Sequence, residues 1–334
     1  MKKSFATAAF AISAAAALFT GAASAQEKPF NVYVGYSAGG GYDVYARLLA
    51  RHISRHLPGT PNVVVNNMPG AGSMRLANWL YNVAPKDGNI IGTFARGIAF
   101  DTLLGQPGAQ FDATKFTWIG SANDEVSVCV AWNTTGVTKF EQVLERELVV
   151  GGTGGSADTD QFPKVFNSVL GAKMRIVAGY PGGNDINLAM ERGEVGGRCG
   201  WSWSSVVSTQ AAWLKEKKIN VLVQLSLEKH PDLPDVPIIT DFAKDDITRG
   251  VFKLVFARQV MGRPFVAPPG LPPQRVAVLR KAFMDTLQDK ELLAEADKAR
   301  LEITPVSGEA VQKLVEEAYA MPPEVVKRTI EALR

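Results

Sequence analysis

Cysteine and histidine are scarce in this sequence. It holds two cysteines, Cys129 and Cys199, and three histidines, and it has no Cys-x-x-Cys or Cys-x-x-Cys-His motif. Dithiol redox chemistry and covalent haem attachment therefore have no support in the sequence. The two cysteines can pair as a disulfide in an oxidising compartment, and two free, buried thiols are an equal alternative.

Long apolar runs are also missing, with one exception near the N-terminus. Residues 5–19 are apolar and alanine-rich, follow Lys2 and Lys3, and are too short to span a bilayer as a stable helix. A small-x-small cleavage site ends at Ala25, and no cysteine follows it to carry a lipid anchor. The sequence therefore predicts a secretory signal peptide over residues 1–25, cleavage after Ala25, and a soluble, exported protein.

A marked excess of charge of either sign is absent. The chain has 36 basic and 33 acidic residues, and removal of Lys2 and Lys3 with the signal peptide leaves a net charge of +1. Such a balance does not indicate a nucleic-acid partner. Cleavage after residue 25 of 334 leaves 309 residues, which is enough for two domains with separate hydrophobic cores.

What the chain has instead is a glycine-rich turn between a strand and a helix, within residues 32–50. Val32 and Val34 alternate with other residues as in a strand, and apolar positions recur at helical spacing over residues 44–53. Three consecutive glycines, residues 39–41, lie between them and favour close approach of a ligand to the backbone. Free N–H groups and the helix dipole make such a turn suited to an anion.

Predicted strands and helices then alternate along the chain. Strands are predicted at residues 62–66 and 90–94, with a helix at residues 74–83 between them. This alternation predicts parallel βα units and an α/β fold. Open sheets of this kind bind ligands beyond the carboxyl ends of their strands. Three turns follow strands and should converge on that edge, at residues 37–41, 69–73 and 95–98.

The second half of the chain repeats this arrangement. A strand at residues 148–150 runs into a glycine-rich turn at residues 151–156, and a helix follows near residues 160–170. We predict a second lobe over residues 121–250, built like the first. Residues 251–256 and 265–266 are predicted to return as strands to the first lobe, which then comprises residues 26–120 and 251–334.

Two arginines at the ends of predicted strands are candidates for binding a carboxylate. Arg96 follows one strand and Arg198 lies in another, so both can face the cleft between the lobes. The planar fork of donors in a guanidinium suits a carboxylate, although such arginines more often lie on the surface or in ion pairs. Trp201 and Trp203 fall on one side of a strand and are interpreted as core residues.

An alternative function rests on the sequence Gly-Tyr-Ser-Ala-Gly at residues 35–39. It matches the Gly-x-Ser-x-Gly turn in which a serine hydrolase would use Ser37 as its nucleophile, and His230 is the only late histidine. Only one strand precedes the motif, so the usual oxyanion loop from an earlier strand is missing. We keep a secreted serine hydrolase as the alternative and expect no enzyme activity.

His52 and His56 have the spacing of two metal ligands on a helix. Ile53 occupies the place of the catalytic Glu in the His-Glu-x-x-His motif, and Arg51 and Arg55 flank the pair. The stretch is therefore interpreted as a solvated basic helix face, and neither a metal site nor a cofactor is expected.

Seven motifs follow one another along the chain. They are VGYSAGGGYDVYARLLA, NNMPGAGSMRLANWLYNVAPKDG, FTWIGS, GGTGGSADTDQF, AGYPGGNDINLAMERGEVGG, PDLPDVP and APPGLPPQRVAVLRKA. In this order and spacing they resemble the periplasmic substrate-binding proteins of tripartite tricarboxylate transporters, the Bug family. The resemblance extends over essentially the whole chain that follows the signal peptide.

This resemblance implies an α/β class II periplasmic-binding-protein fold, with two βα lobes and a hinged ligand cleft. It implies a periplasmic monomer that captures a small carboxylate, such as a di- or tricarboxylate or a related organic acid. Membrane permease subunits of the transporter would receive the ligand, and no catalysis is involved. The chain departs from the family at the start of the second-lobe helix, where Asp160 and Gln161 replace a frequent histidine, and at residues 201–203.

Carried over by position, the resemblance places the ligand between two turns. The first-lobe turn at residues 37–43 and the second-lobe turn at residues 152–156 would hold a carboxylate mainly through backbone N–H groups, hydroxyls and bridging water, with Asp43 in a capping role. Residues 180–183 would complete the pocket wall. The predicted ligand-binding residues are Ser37, Ala38, Gly39, Gly40, Gly41, Asp43, Arg96, Thr153, Gly154, Gly155, Ser156, Thr159, Tyr180, Gly182 and Arg198.

Two further expectations concern the same site. Gly40 is expected either to adopt a positive φ or to contact the ligand closely, so that a β-branched residue there would be harmful. Asp158, Asp160 and Asp185 either bind an amino group of the ligand or are ordinary acids at helix starts, and the sequence leaves both interpretations open.

Overall fold

The computed structural model describes residues 28–334, so the predicted signal peptide and its cleavage after Ala25 lie outside the described residues. The strands are β1 (Phe30–Val34), β2 (Val63–Asn67), β3 (Ile90–Thr93), β4 (Thr117–Ser121), β5 (Ser127–Trp132), β6 (Leu148–Gly151), β7 (Met174–Val177), β8 (Gly197–Ser202), β9 (Ile219–Leu225), β10 (Pro264–Ala267) and β11 (Val306–Ser307). The α-helices are α1 (Gly41–Ile53), α2 (Met74–Asn82), α3 (Ile98–Asp101), α4 (Gln142–Glu145), α5 (Asp158–Leu170), α6 (Gly183–Glu191), α7 (Trp203–Thr209), α8 (Ala211–Lys215), α9 (Asp246–Ala257), α10 (Pro273–Leu287), α11 (Lys290–Lys298), α12 (Gly308–Tyr319) and α13 (Pro323–Leu333). Over this range of the chain, none of the helices has the length and apolarity needed to cross a lipid bilayer.

Two mixed sheets organise the strands. The first has the order β11-β4-β10-β3-β1-β2, in which β1 runs parallel to β2 and β3, and β10 lies antiparallel between β3 and β4. The second has the order β7-β6-β8-β5-β9, in which β6 is parallel to β7 and β8, and β5 is antiparallel to β8 and β9. The predicted α/β fold with two βα lobes is confirmed, and each sheet joins three parallel strands at one side to antiparallel strands at the other.

The second sheet is inserted in the chain between two parts of the first. Strands β1 to β4 and, much later, β10 and β11 belong to the first sheet, whereas β5 to β9 form the second. The chain therefore crosses between the sheets after Ser121 and again before Pro264. The lobe boundaries at residues 120 and 250 stay a prediction.

The strand predicted at residues 251–256 is wrong, because these residues lie in α9. The N-cap Asp245 accepts a hydrogen bond from a backbone N–H at 2.8 Å and starts this helix. Phe252 and Phe256 lie one turn apart and pack on Phe166 of α5. A short apolar run does not distinguish a buried helix from a buried strand, and this helix is buried on more than one face.

Cys129 and Cys199 lie on the neighbouring antiparallel strands β5 and β8, and they form a disulfide. Both side chains are buried. The sequence left this pairing open because the two residues are distant along the chain, and only the order of strands in the second sheet brings them together.

The basic face of α1 is not solvated as predicted, because it packs against acidic residues of α11 and the turn before it. His52 contacts Glu295 at 2.6 Å, and Arg55 and His56 contact Asp289 at 2.7 and 2.8 Å. His52 is only 8% exposed. Helical spacing indicates which residues share a face, but it does not indicate which other element covers that face.

Candidate functional site

A cavity lies between the two sheets, where three helices begin. The first residues of α1, α5 and α6, which are Gly41, Asp158 and Gly183, all line it. The cavity has a volume of about 50 Å³. Because both sheets contribute residues to its wall, it is a cleft between two lobes. Its lining residues are Tyr36, Gly40, Gly41, Tyr42, Ala95, Arg96, Thr153, Ala157, Asp158, Thr159, Gly183, Asn184, Arg198, Gly200, Trp201, Ser202, Ser205, Thr209 and Arg263.

The three helix starts give the cavity a positive potential. Their N-cap residues are Gly40, Ala157 and Gly182, and none of these has a side chain that caps the helix. The first N–H groups of a helix have no intrahelical acceptor, and the helix dipole places partial positive charge at the same end. An anion in the cavity would therefore meet uncapped N–H groups of helices from both lobes.

The glycines of the first turn have different roles. Gly39 has a φ of +83°, which favours glycine. Gly41 has no room for a side chain, because a Cβ there would overlap the Ser205 hydroxyl and crowd the Arg263 guanidinium. Gly40 has a φ of −80°, and a Cβ added to it would lie 3.9 Å from its nearest neighbour. The positive φ expected at Gly40 is therefore wrong, and the restricted positions are its two neighbours.

Asp43 holds the first turn in place. Its carboxylate accepts hydrogen bonds from the Gly39 N–H, from Arg47 Nε and from Asn67 Nδ2, each at 2.8 Å. Burial opposes ionisation of Asp43, but these hydrogen bonds outweigh it and hold the pKa of the carboxyl below its usual value. The side chain therefore has the capping role expected for it.

The cleft is closed, because loops from the two lobes touch. The Ser37 N–H donates to the Pro181 carbonyl at 3.2 Å, and the Ser37 hydroxyl donates to Asp185 at 2.7 Å. Asn184 donates to the Ala38 carbonyl at 3.3 Å. Several predicted site residues thus lie at the contact between the lobes, beside the cavity, and these are Ser37, Ala38, Gly39 and Gly182.

The second glycine-rich turn uses part of its donors internally. The Thr153 N–H donates to Thr159 Oγ1 at 3.1 Å, and the Gly154 N–H donates to the Asp160 carboxylate at 2.9 Å. Thr153 and Thr159 line the cavity, whereas Gly154, Gly155 and Tyr180 line a shallower pocket on the outer side of this turn. Ser156 is buried next to the turn and lines neither pocket.

Arg96 lies at the cavity wall and is neutralised by Asp158. Its Nε is 3.0 Å from one carboxylate oxygen of Asp158, and Arg258 lies 3.5 Å from the other. Arg96 also donates to Gln259 and to Ser202, each at 2.6 Å. Both arginines are essentially inaccessible to solvent, at 2% and 0% exposure. Arg96 therefore has a carboxylate partner within the described chain, which it shares with Arg258.

Arg263 is balanced in a similar way. Its Nη1 is 3.3 Å from Glu125, which is itself buried. Arg263 also donates to the hydroxyls of Ser202 and Ser205, at 2.9 and 2.8 Å. The Ser202 oxygen thus accepts from Arg96 and from Arg263 together, which joins the two guanidinium groups at the cavity wall.

Arg198 differs, because no carboxylate among residues 28–334 lies within 4.0 Å of its guanidinium. It donates to the Gly183 carbonyl at 3.2 Å and to Asn187 at 3.1 Å, and its buried Nε has no acceptor. The guanidinium stacks on Trp201, with Cζ 4.5 Å from the ring centre. Burial is the main cause that lowers the pKa of Arg198, to about 9, and the nearby charge of Arg263 lowers it further.

Asp101 is a buried acid next to the cluster of Arg96, Asp158 and Arg258. Gln161 donates to Asp101 at 3.2 Å and accepts from Arg258 at 2.5 Å, so it links Asp101 to the pair of Asp158 and Arg258. Burial raises the pKa of Asp101 to about 7. This carboxyl is therefore part protonated at neutral pH, and the arginines around the cavity outnumber the ionised acids.

Six of the predicted site residues line the cavity: Gly40, Gly41, Arg96, Thr153, Thr159 and Arg198. Lining residues that are absent from the list of predicted ligand-binding residues are Tyr36, Tyr42, Ala95, Ala157, Asp158, Gly183, Asn184, Gly200, Trp201, Ser202, Ser205, Thr209 and Arg263. Of these, Tyr42 and Gly183 lie within the turns at residues 37–43 and 180–183 that were predicted to form the pocket. The start of α6 carried a usable signal, since its glycine pair precedes a helix as in the first turn. Arg263 carried none, because only the packing of the loop before β10 brings it to the cleft.

The geometry around Ser37 lacks a histidine. Its hydroxyl donates to Asp185, whereas the His230 ring contacts Glu302 at 3.1 Å. The other two histidine rings contact Glu295 and Asp289, so within the described chain no histidine is bonded to Ser37. The nucleophile and base pair that a serine hydrolase needs is therefore not assembled in this conformation.

Two groups of histidine and acidic side chains lie close enough together to share a cation. One consists of His52, Asp289 and Glu291, and Arg55 already bridges its two acids at 2.7 and 2.5 Å. The other consists of His230, Asp232 and Glu302 and is largely exposed. Neither group belongs to the cavity.

No protein-family model matches the sequence, and a comparison with characterised proteins finds no match. Solved structures do match. The periplasmic binding protein BugD is 20% identical, with a TM-score of 0.73 over 92% of this chain and 98% of its own. MatC from Rhodopseudomonas palustris with bound malate is 18% identical, with a TM-score of 0.71 over 92% and 99%. Rpa4515 of R. palustris with adipate is 19% identical, with a TM-score of 0.69 over 90% and 97%. The chain therefore has the two-lobed fold of these proteins, as predicted.

Proposed function

We propose that the chain is a periplasmic solute-binding protein of the Bug family that captures a small carboxylate, without catalysis, for the permease subunits of a tripartite tricarboxylate-type transporter. One observation carries this proposal: Arg198, which has no carboxylate partner in the described chain, faces a closed cleft where three helices begin. A carboxylate there would supply the missing negative charge and would accept charge-assisted hydrogen bonds in a fork geometry.

The helix starts support the same ligand chemistry. A carboxylate beside Arg198 would also lie near the uncapped starts of α1 and α6, since a Cβ on Gly40 would lie only 3.9 Å from the Gly183 nitrogen across the cleft. Uncapped N–H groups and oriented helix dipoles favour an anion in a space that excludes water. Ser205 and Thr209 add hydroxyl groups to the same wall.

The structural neighbours support the size of the ligand. MatC carries malate and Rpa4515 carries adipate, and both molecules are small dicarboxylates. The same ligand class, di- or tricarboxylates and related organic acids, is our proposal for this chain.

The remaining parts of the proposal concern the whole molecule. The lobes comprise residues 26–120 with 251–334, and residues 121–250, and they close on the ligand about their connections. Contacts such as the hydrogen bond between the Gly72 N–H and the Thr153 carbonyl, at 2.9 Å, hold the closed form. The protein is exported, cleaved after Ala25 and monomeric.

A thermal-shift screen of the protein without its signal peptide tests this function. Mono-, di- and tricarboxylates are compared with their own amides, which keep the shape of the acid and remove its charge. We expect at least one acid to raise the melting temperature, and its amide to have no effect. If no acid stabilises the protein, or if acid and amide act equally, the carboxylate-binding function is wrong.

The hydrolase alternative has its own measurement. Esters of the best acid are incubated with the protein and with Ser37→Ala. We expect no hydrolysis by either, because no histidine of the described chain is positioned to activate Ser37. Turnover that is present in the wild type and lost in Ser37→Ala would favour the hydrolase.

A further inference from the structure

We propose that the cleft selects acids that lack an amino group, so that it binds hydroxy acids or simple carboxylic acids and rejects the amino acids of the same shape. This inference rests on the proposed function and narrows its ligand class. It follows from the positions of Asp158, Asp160 and Asp185, the three acids that the sequence left open as partners of an ammonium group. Each of them is already engaged by a group of the protein.

Asp160 is engaged by the second glycine-rich turn. Its carboxylate accepts from the Gly154 N–H at 2.9 Å and from the Thr159 hydroxyl at 3.2 Å. The residue is 4% exposed and does not line the cavity. An ammonium group of a ligand has no path to this carboxylate that leaves the turn intact.

Asp185 is engaged by the contact between the lobes. It accepts the Ser37 hydroxyl at 2.7 Å, and it also lies outside the wall of the cavity. A ligand in the cavity would have to displace the contact between Ser37 and Asp185, or reach around it, to bind this carboxylate. The closed conformation leaves this acid unavailable to an amino group.

Asp158 does line the cavity, but it is the shared partner of two buried arginines. Arg96 and Arg258 contact its two oxygens at 3.0 and 3.5 Å. An ammonium group that approached Asp158 would meet a carboxylate that already carries two guanidinium partners, Arg96 and Arg258. Two guanidinium groups against one carboxylate leave a net positive charge there, which disfavours a further cation in a buried site.

The hydroxyl groups of the wall also favour ligands that accept hydrogen bonds. The Ser202 oxygen accepts from Arg96 and from Arg263, so its own hydrogen remains to be donated. Ser205 accepts from Arg263 in the same way. With Arg198 and the uncapped helix starts, these hydroxyls form a wall rich in donors. A ligand hydroxyl or carboxylate fits such a wall, whereas a buried ammonium group without acceptors carries a large desolvation cost.

Matched pairs of ligands test the inference by calorimetry at pH 7. Malate and aspartate share one skeleton and differ in a hydroxyl against an ammonium group, and adipate and 2-aminoadipate extend the comparison to a longer acid. We expect the member without the amino group to bind at least tenfold more tightly in each pair that binds. Equal or tighter binding of the amino acid would overturn the inference while leaving carboxylate binding intact. If no acid of either kind binds, the proposed function itself fails and the inference fails with it.

A substitution makes the test independent of the choice of ligand. Asn184→Asp adds a carboxylate at the start of α6 on the cavity wall, where an acid is compatible with the helix dipole. We expect it to reduce the preference for the hydroxy acid over the amino acid by at least threefold. Asn62→Asp adds the same charge at an exposed position before β2 and should leave the preference unchanged. If folded Asn184→Asp still binds acids and keeps the full preference for the hydroxy acid over the amino acid, the inference is contradicted. The lack of an available carboxylate in the cleft would then not be the reason that amino acids are rejected.

Discussion

Arg96 and Arg198 belong to opposite walls of the same cleft, and they differ in one respect. Arg96 follows β3 of the first sheet and has Asp158 within 3.0 Å, whereas Arg198 lies in β8 of the second sheet and has no carboxylate partner in the described chain. Both line the cavity. An arginine at a cavity wall is therefore a candidate for anion binding only when its charge is not already balanced. We assign Arg96 to the stability of the wall and Arg198 to the ligand.

The largest expected effect is the loss of stability when Arg96 is replaced. Arg96→Gln leaves Asp158 buried with only the more distant Arg258, and removal of one partner of a buried pair costs about 3–5 kcal/mol. We expect a loss of unfolding free energy near the lower end of that range in urea denaturation. Arg192→Gln, at an exposed arginine after α6, is the control and should change stability little. Unchanged stability with lost ligand affinity would reverse the two roles.

The next largest effect is the loss of ligand affinity when Arg198 is replaced. Arg198→Gln removes a guanidinium of the cavity wall that has no carboxylate partner in the described chain, and loss of a charge-assisted interaction in a buried site costs about 2–3 kcal/mol of binding free energy, or roughly a hundredfold in affinity. The unfolding free energy should stay the same or rise, because a buried charge without a partner is removed. Calorimetry with the best acid, together with urea denaturation, measures both. Full affinity in this variant would show that Arg198 does not bind the ligand, and the glycine-rich turns would remain as the binding elements.

A smaller effect is the pH dependence of stability that arises from Asp101, which lies next to the cluster of Arg96, Asp158 and Arg258. The pKa of Asp101 is raised by burial to about 7 from an ordinary value of 3.8, so the folded protein holds a proton that the unfolded chain has lost in that interval. The contribution of Asp101 to the free energy of unfolding is therefore fully present below about pH 4. It is lost as the pH rises to about 7, at about 1.4 kcal/mol per pH unit.

Asp101→Asn should remove this dependence. Between pH 5 and pH 6.5 we expect the wild type to lose about 2 kcal/mol more unfolding free energy than the variant. Asp235→Asn, at an exposed loop position, should behave as the wild type. Parallel pH profiles for the wild type and Asp101→Asn would show that ionisation of this acid is not coupled to folding. Asp101 would then not belong to the charged cluster of Arg96, Asp158 and Arg258.

The smallest expected effect concerns the start of α1, which lines the same cavity as both arginines. Gly41→Ala places a methyl group against Ser205 and Arg263, so α1 must shift and the affinity for the acid should fall about tenfold, or about 1.4 kcal/mol. Gly40→Ala is the matched control, because its methyl group would make only an ordinary van der Waals contact, 3.9 Å from the Gly183 nitrogen, and its φ suits alanine. A larger loss in Gly40→Ala would indicate that the ligand itself contacts that residue.

Much of the local structure could be predicted from the sequence. The strand, glycine turn and helix of residues 30–53 and the second glycine-rich turn after β6 follow from local residue patterns, and both are present. The patterns failed at residues 251–256, where a continuous apolar run had no distinguishing period. They failed also at Gly40, because three consecutive glycines do not indicate which of them needs a positive φ.

The candidate site was predictable only in part, and for a related reason. Arg96 and Arg198 were both named from their places at strand ends, but nothing local distinguished them. Asp158, which balances Arg96, was interpreted as either a helix-start acid or an ammonium ligand. Its actual partners come from the first lobe and from the loop after α9, so no sequence spacing could reveal them.

The sequence by itself determined the units: alternating strands and helices, glycine turns at helix starts, and a supply of arginines and acids near the strand ends. These depend on interactions between neighbouring residues, which the order of amino acids states directly. The tertiary structure alone decided that Cys129 pairs with Cys199, that α11 covers the basic face of α1, and that Asp158 contacts Arg96 and Arg258 whereas no carboxylate of the described chain contacts Arg198. The physical reason is that Coulomb attraction, burial and disulfide bonding act over a few ångströms in space, and strand order brings together residues that are far apart along the chain.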